Sequence, residues 1–513
     1  MVSVGRAASV VALLTALSLF LGFGRDVVIA AVFGASADLD AYFVAQGLMN
    51  IVLALVAGAM AKASVPVLAR EARAEGARCG GHRSLDVALT VAVLVLGVGG
   101  VVMWLVAGPV VALLAPGFDA GQRALAITLT RVVLVATVLV AGTNLVGAAA
   151  QSHGRFGWSG FQGVPFNLTM IVAAGVFGPR YGVMALAVGF VVGSAARLLV
   201  HVPVVRAIGL RIRPSLELRH PGFREMARLV PALLLGSAIG NVNTLVDRAV
   251  GSLFADGTIS ALSYGWRVVN LGEMLVVASL MGALYPALGA AAQDPPELRR
   301  LVSRGLSIAS VLLTPLSIAL ACAAVPLVTL AFARGSFGPD DVASTSSAVL
   351  WYAPALLALG WRELVVRASF AVGDSSGPVV VAAVAMLVNV AGDLTAGLRW
   401  GIPGLAAATS ASLVCAAALN TWLLHRRHGA LPTAGLGALL ARTGGAAVVA
   451  TAVGLLVARA LARPVLPSTL VALWTSAVIA AAVALAYAGV LALVRAPELR
   501  LLRGHLQGVV RRR

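Results

Sequence analysis

The chain has 513 residues, of which 60% are hydrophobic and only 11% are charged, and its mean hydropathy is +0.97. A soluble globular protein is closer to half apolar and a quarter charged, so the composition excludes that class. The net charge of +18 is spread over short loops. A nucleic-acid-binding protein would gather such charge on one basic surface, so we expect no nucleic-acid partner.

Apolar runs of about 20 residues, long enough to cross roughly 30 Å of hydrocarbon, recur along the whole chain. These runs are continuous rather than alternating, so they predict helices and exclude an outer-membrane barrel. The expected fold class is therefore an all-α polytopic membrane protein. We predict about fourteen transmembrane helices, at 7–33, 38–66, 86–114, 122–149, 158–177, 183–204, 226–250, 257–290, 303–327, 344–372, 377–398, 402–424, 438–461 and 468–493.

Most of the 38 lysines and arginines fall in the even-numbered connections and at the two ends of the chain. Cytoplasmic loops carry an excess of basic residues, so both termini are predicted to be cytoplasmic and the protein to lie in the cytoplasmic (inner) membrane. The Arg511–Arg513 tail is expected to contact anionic lipid. Cys79, Cys322 and Cys415 are scattered and indicate neither a disulfide framework nor a metal site.

A weak internal repeat runs through the chain at an offset of about 220 residues, with Arg25–Asp26 corresponding to Asp247–Arg248 and Asn50 to Asn270. Six spans separate the copies, which predicts two lobes of six helices in the same orientation, related by an axis along the membrane normal. Two further helices follow. The predicted domains are 1–224, 225–428 and 429–513.

Basic residues inside predicted spans are costly and are therefore functional candidates. Arg25 and Arg267 stand at matching depth in their predicted helices. A guanidinium offers forked donors suited to phosphate oxygens, so two of them facing one cavity would bind a diphosphate.

For the other basic residues in spans, structural roles compete with functional ones. Lys62, Arg197 and Arg367 lie near predicted cytoplasmic ends, which favours side chains that extend to the interface. Arg131 is deeper and is equally well explained as structural or as facing a cavity. Arg362 has no assigned role.

Oxygen-bearing side chains gather in the outer halves of three predicted spans. Asn389 and Asp393 are four residues apart and share one helix face, while Asp247 and Thr409 lie within similar reach of the outer side. Carboxylate, amide and hydroxyl oxygens suit a hard cation. The alternative is that Asp247 pairs with an arginine and Asn389 only joins helices through hydrogen bonds. The residues alone leave both interpretations open.

Several segments resemble the MurJ (MviN) family of lipid II flippases, which belongs to a superfamily that also holds multidrug exporters. The resemblance extends in order over nearly the whole chain, at LGFGRDVVIAAVFGASADLDAYFVA (21–45), LLAPGFDA (113–120), NVNTLVDRAVGSL (241–253), SALSYGWRVVNL (260–271), ARGSFGPDDV (333–342) and ASFAVGDSSGPVVVAAVAMLVNVAGDL (368–394).

The resemblance implies a flippase that moves an undecaprenyl-diphosphate-linked peptidoglycan precursor to the outer leaflet by alternating access. The family's sodium site matches Asp247, Asn389, Asp393 and Thr409, and its first-loop aspartate matches Asp40. Sodium is then the expected coupling ion, and no other cofactor is expected. Expected partners are the lipid substrate, membrane lipids and cell-wall synthesis or division proteins, around a monomer. The predicted substrate-binding residues are Arg25, Asp26, Asp40, Asn50 and Arg267.

The sequence departs from the family pattern at positions that would line the cavity. Leu19 and Leu53 stand where the family has arginines. The head group is then held by fewer charges, or the cargo differs from lipid II. The alternative function is export of another amphiphile or oligosaccharide-lipid on the same fold. A membrane enzyme is disfavoured, because its acids and histidines would have to gather on loops that are short here.

Overall fold

A computed structural model describes residues 4–54, 57–74, 83–429, 433–462 and 468–498. These residues form helices and short connections, with no β-strand among them. The predictions that concern Cys79, the Lys62 side chain and the Arg511–Arg513 tail lie outside the described residues.

The described part of the chain contains twenty-two α-helices and two π-helical turns. The α-helices are α1 (Val4–Phe33), α2 (Ala37–Ala54), α3 (Ala57–Ala74), α4 (Arg83–Leu105), α5 (Ala107–Leu114), α6 (Ala120–Val133), α7 (Val135–Ser152), α8 (Phe156–Phe161), α9 (Gly163–Val172), α10 (Gly178–Tyr181), α11 (Met184–Leu199), α12 (Val202–Ala207), α13 (Pro221–Gly251), α14 (Thr258–Ala290), α15 (Pro295–Cys322), α16 (Ala324–Phe332), α17 (Pro339–Ala371), α18 (Ser376–Gly392), α19 (Leu398–Trp400), α20 (Ile402–His428), α21 (Thr433–Ala460) and α22 (Thr469–Leu493). The π-turns are Ala173–Phe177 and Asp393–Gly397.

Within the described residues, eleven helical stretches are long and apolar enough to cross a membrane. This confirms the all-α polytopic class, while the count of fourteen spans stays a prediction. The other three predicted spans fall on α2 with α3, on α13 and on α14. Each carries charged or amide side chains, among them Asp40 on α2, Asp247 on α13 and Arg267 on α14. Other candidate residues lie on helices that are among the eleven apolar stretches, namely Arg25 on α1, Asn389 on α18 and Thr409 on α20.

The internal repeat is visible in the helix boundaries. The second π-turn begins 220 residues after the first. Glycines with positive φ recur at nearly the same offset, in the pairs Gly34 and Gly257, Gly154 and Gly373, Gly182 and Gly401, and Gly209 and Gly429. Positive φ is costly for a residue with a Cβ, so these glycines end helices at equivalent places in both copies.

Polar side chains set several helix starts. The Asp119 side chain accepts from the backbone N–H of Gln122, and the Gln122 side chain accepts from the N–H of Asp119, so a capping box begins α6. The Asp294 side chain accepts from the N–H of Glu297, and Pro295 follows at the first helical position, where its missing N–H costs nothing. These contacts stabilise α6 and α15 where they emerge from the apolar region.

The chain divides into two compact units: Met1–Ser260 with Arg334–Phe337, and Ala261–Ala333 with Gly338–Arg513. In the first, buried aliphatic side chains of α3, α4, α7 and α13 pack together. In the second, Ile479, Val483 and Tyr487 of α22 pack against α15 and α21. The predicted domains 1–224, 225–428 and 429–513 stay predictions.

Close backbone contacts fix the α1–α2 corner (Gly34–Ser36) in the first unit. Gly257 has φ +85°, and a Cβ at this position would lie 2.1 Å from the carbonyl oxygen of Ala35. The N–H of Ser336 donates to the carbonyl of Ala31 at 2.8 Å. The turn at Gly257 and the segment Arg334–Phe337 therefore both lie directly on the end of α1.

We expect Gly257→Ala to lower thermal stability more than Gly154→Ala. Both glycines have positive φ, but no atom lies within 4 Å of a Cβ at Gly154. Gly154→Ala should therefore cost only the backbone strain, about 1 kcal/mol. Gly257→Ala adds a clash with Ala35 and should cost about 3 kcal/mol. Thermal unfolding of the purified variants measures both, and equal losses would contradict the close contact.

Candidate substrate and cation sites

Arg25 is held by a polar cluster inside the first unit. Its Nε and Nη2 donate to Oδ1 of Asp26 at 2.9 and 2.8 Å, and its Nη1 donates to Oδ1 of Asn167 at 3.2 Å. The Asn167 amide in turn donates to the backbone carbonyl of Ser18 at 3.0 Å. Asp26 and Asn167 are each 5% exposed. A charge placed among apolar helices is costly, and these contacts reduce that cost for Arg25.

Phe166 lies close to two arginines of this unit. The Cζ atom of Arg25 is 5.9 Å from the ring centroid, and that of Arg197 is 5.3 Å from it. Phe190 meets the same ring edge-on at a centroid distance of 5.1 Å. Arg197 was expected to extend to the membrane interface, but its guanidinium lies over Phe166 instead.

Sequence reasoning missed both Asn167 and Phe166. Asn167 could have been singled out as an amide in an apolar span, because such groups usually bond to another helix. Phe166 carried no signal, since a phenylalanine in a span is ordinarily a packing residue.

Asp40 is buried and joins α2 to the start of α14. One carboxylate oxygen accepts from the N–H of Gly257 at 2.9 Å, and the other accepts from the N–H and hydroxyl of Ser260 at 2.7 and 2.5 Å. A carboxylate at a helix N-terminus is stabilised by the free N–H groups and by the helix dipole. Both oxygens of Asp40 are therefore occupied by the protein, while its role as a substrate ligand stays a prediction.

Asn50, on the same helix as Asp40, has an exposed side chain.

Asp247 is half-buried on α13 and interacts electrostatically with the adjacent Arg248. Arg248 donates to the backbone carbonyl of Phe43 at 2.5 Å, and its guanidinium lies where a Cβ at Gly47 would be.

Arg267 is half-buried on α14 in the second unit. The preceding residue, Trp266, packs edge-on against Tyr352 of α17 at a centroid distance of 5.2 Å. Gly265 lies so close to Ala348 that a Cβ would be 2.7 Å from its Cβ. These contacts fix the position of α14 against α17 immediately before Arg267.

Asn389 and Asp393 form a buried pair in the second unit. The Asn389 amide donates to Oδ2 of Asp393 at 2.8 Å, and both residues are fully buried. Asp393 is also the first residue of the second π-turn, a helix irregularity common at functional sites. The predicted shared helix face is thus observed.

Thr409 lies on α20, which packs against α18 and the second π-turn. A Cβ at Gly392 would lie 2.6 Å from that of Ala408, so the two backbones approach closely at the residues before Asp393 and Thr409. The Thr409 hydroxyl donates to the carbonyl of Leu405. The second unit therefore holds carboxylate, amide and hydroxyl oxygens at one level.

Arg25, Asp26, Asp40, Asn50 and Asp247 belong to the first unit, and Arg267, Asn389, Asp393 and Thr409 to the second. Across the described ranges, no group of three or more His, Cys, Asp or Glu side chains could hold a metal ion. The predicted cation set differs from such a cluster because half of its donors are amide and hydroxyl oxygens.

Comparison with known proteins gives a consistent result. The family profile for the lipid II flippase MurJ matches residues 29–490. A probable lipid II flippase MurJ of Vibrio cholerae is 30% identical over 431 residues, covering 81% of each chain. The lipid II flippase MurJ of Burkholderia cenocepacia is 29% identical over 396 residues, covering 75% of this chain and 76% of the relative.

Solved structures share the fold. A lipid II flippase MurJ in an inward closed conformation matches 93% of this chain and 98% of its own, with a TM-score of 0.76 at 19% identity. An inward-facing multidrug resistance MATE family transporter of the MOP superfamily matches 80% of this chain and 95% of its own, with a TM-score of 0.66 at 15% identity. On the extent of the family match and the identity to its members, the chain belongs to the lipid II flippase MurJ family.

Proposed function

We propose that this protein carries lipid II from the inner to the outer leaflet of the cytoplasmic membrane. Membership in the family makes it a multi-pass membrane transporter rather than an enzyme. The observation that carries the proposal is the Arg25–Asp26–Asn167 cluster, because it fixes the orientation of a guanidinium among apolar helices, where an ionisable group is a functional candidate. We also propose that the protein is a monomer, that both of its termini are cytoplasmic and that it contacts cell-wall synthesis proteins.

A second candidate function is the export of another amphiphile. Leu19 and Leu53 replace two arginines of the family pattern, and the fold is shared with a multidrug transporter of the MATE family. Translocation of lipid II by the purified protein in vesicles separates the two functions. We expect lipid II to be moved, and movement of other amphiphiles alone would favour the second.

In the proposed mechanism Arg25 and Arg267 bind the diphosphate of the substrate. Two forked guanidinium groups match the oxygens of two phosphoryl groups, and the isoprenoid tail remains in the surrounding lipid. Binding is strong only where the site excludes water, since the same charges attract weakly in bulk solvent.

We expect Arg267→Ala to abolish transport while the protein is still inserted at normal abundance. Arg267→Lys should also lose most activity, because an ammonium cannot form the forked pair of hydrogen bonds. The measurement is rescue of a strain depleted of its own lipid II flippase, with membrane abundance followed in parallel.

A matched control is Arg399→Ala, since Arg399 is an exposed arginine of the same unit. This variant should rescue growth as well as the parent protein. Full rescue by Arg267→Ala would remove Arg267 from the proposed site.

We propose that sodium binds at Asn389, Asp393 and Thr409, with Asp247 as the fourth ligand, and drives the cycle. The donor set consists of oxygen atoms, which suits a hard cation, and the buried pair of Asn389 and Asp393 supplies two of them. A bound cation would offset the cost of burying the Asp393 carboxylate.

We expect sodium to raise the thermal stability of the purified protein more than potassium does. At a concentration one hundred times the Kd, binding stabilises the folded state by about 2.7 kcal/mol. Asp393→Asn should lose most of this effect, because an amide cannot supply the missing charge. Thermal unfolding in matched sodium and potassium chloride measures it.

Asp374→Asn is the control for this experiment. Burial opposes ionisation of Asp374, but hydrogen bonds from the backbone of Gly377 and from Arg427 lower its pKa to about 2. Asp374 is therefore ionised at neutral pH. Asp374→Asn removes a negative charge from the same unit at a position outside the proposed site, so it should leave the difference between sodium and potassium unchanged. An equal response of the parent protein to both salts would contradict the sodium site.

We further propose that transport proceeds by alternating access, and that Asp40 controls one gate. Its carboxylate links α2 to the N-terminus of α14 through three hydrogen bonds, beside the close contact of Gly257 with Ala35. Opening this end of the first unit requires these bonds to break together. A ligand can shift such an equilibrium only by binding the two states differently.

We expect Asp40→Asn to open this contact more often and to reduce transport. Each of the two Asp40 oxygens accepts a backbone N–H. An asparagine has only one acceptor oxygen, so its NH₂ group would face one of these N–H donors and that hydrogen bond would be lost. A cysteine at Ser36, in a background without the native cysteines, should then react faster with a membrane-impermeant thiol reagent.

Asp38→Asn is a matched control on the same helix turn, because the Asp38 side chain is exposed. It should leave the reaction rate of the cysteine unchanged. Unchanged reactivity in Asp40→Asn would argue against Asp40 as a gate.

A further inference from the structure

Among the described residues of the first unit, Arg197 has no acidic partner. Phe166 is ten residues from the start of its helical stretch Phe156–Tyr181, and Arg197 is ten residues from the end of the neighbouring stretch Met184–Ala207. Ten residues of helix correspond to about 15 Å, which is the distance from Phe156 to Phe166, and the Arg197 guanidinium lies over the Phe166 ring.

The charge of Arg197 is not compensated in the way that the charge of Arg25 is. Arg25 forms an ion pair with Asp26 at 2.8 Å, so the two together are close to neutral. Among the described residues, the Arg197 guanidinium makes neither a hydrogen bond nor an ion pair, and its Nε is buried without a partner. The aromatic face of Phe166 compensates a cation only partly.

The ring of Phe166 brings the two arginines within reach of one ligand. Their Cζ atoms lie 5.9 and 5.3 Å from the same centroid, so they are at most about 11 Å apart. A diphosphate bound to one guanidinium at each phosphoryl group can bridge such a separation. Phe166 is itself fixed by Phe190 and by Gly193, where a Cβ would lie 3.0 Å from the ring.

We infer that Arg197 is a further phosphate-binding residue: in a first complex, before Arg267 takes part, Arg197 binds one phosphoryl group of a lipid diphosphate and Arg25 binds the other. The inference rests on the proposed function. It follows from the charge balance: the neutral pair of Arg25 and Asp26 offers an anion little net attraction, whereas Arg197 makes the cluster positive.

The test is direct binding of undecaprenyl diphosphate and undecaprenyl monophosphate to the purified full-length protein in detergent. Arg197→Gln keeps the length of the side chain but removes the charge. It should weaken binding of the diphosphate about tenfold, the effect of losing one charge-assisted contact, and weaken binding of the monophosphate much less. Arg197→Lys should fall between the parent and Arg197→Gln.

Arg180→Gln is the matched control, because Arg180 also lies over an aromatic ring of this unit, that of Tyr181 at 5.6 Å. It should leave both affinities unchanged. If Arg197→Gln weakened both lipids equally, or left the preference for diphosphate intact, Arg197 would not be a phosphate ligand. If the parent protein showed no preference for the diphosphate, the proposed function itself would fail.

Discussion

The fold depends on how charge is accommodated among helices that are otherwise apolar. A guanidinium in a low-dielectric region is tolerable only with partners, and Arg25 has two of them in Asp26 and Asn167. Asn167 also bonds to the backbone at Ser18, so the same amide joins α9 to α1. Polar groups of the candidate site thus also stabilise the packing of otherwise apolar helices.

A second charged group joins two helices at one end of the first unit. Asp40 accepts three hydrogen bonds at the start of α14, where free N–H groups and the helix dipole favour an anion. The contact of Gly257 with Ala35 is beside it and requires the absence of a side chain. Steric fit and electrostatics therefore act at the same place to fix α2 against the start of α14.

The sequence predicted local features well and distant contacts poorly. Helical spacing placed Asn389 and Asp393 on one face, and the structure shows their side chains in contact, because residues four apart in a helix are neighbours whatever surrounds them. The contact of Arg197 with Phe166 joins two different helices, so no local pattern could reveal it. The same holds for Asn167, 142 residues from Arg25. The roles assigned to Arg267 and Thr409 stay predictions.

The two π-turns have a consequence for how each helix is oriented. Each inserts an extra residue into an α-helical stretch, so the helix beyond it is rotated by about 100° relative to an uninterrupted one. In the second unit this offset separates Asp393, which is fully buried, from Trp400, which is 61% exposed. The same helical stretch can therefore bury Asp393 before the turn and expose Trp400 after it, although residues seven apart in an uninterrupted α-helix would share one face.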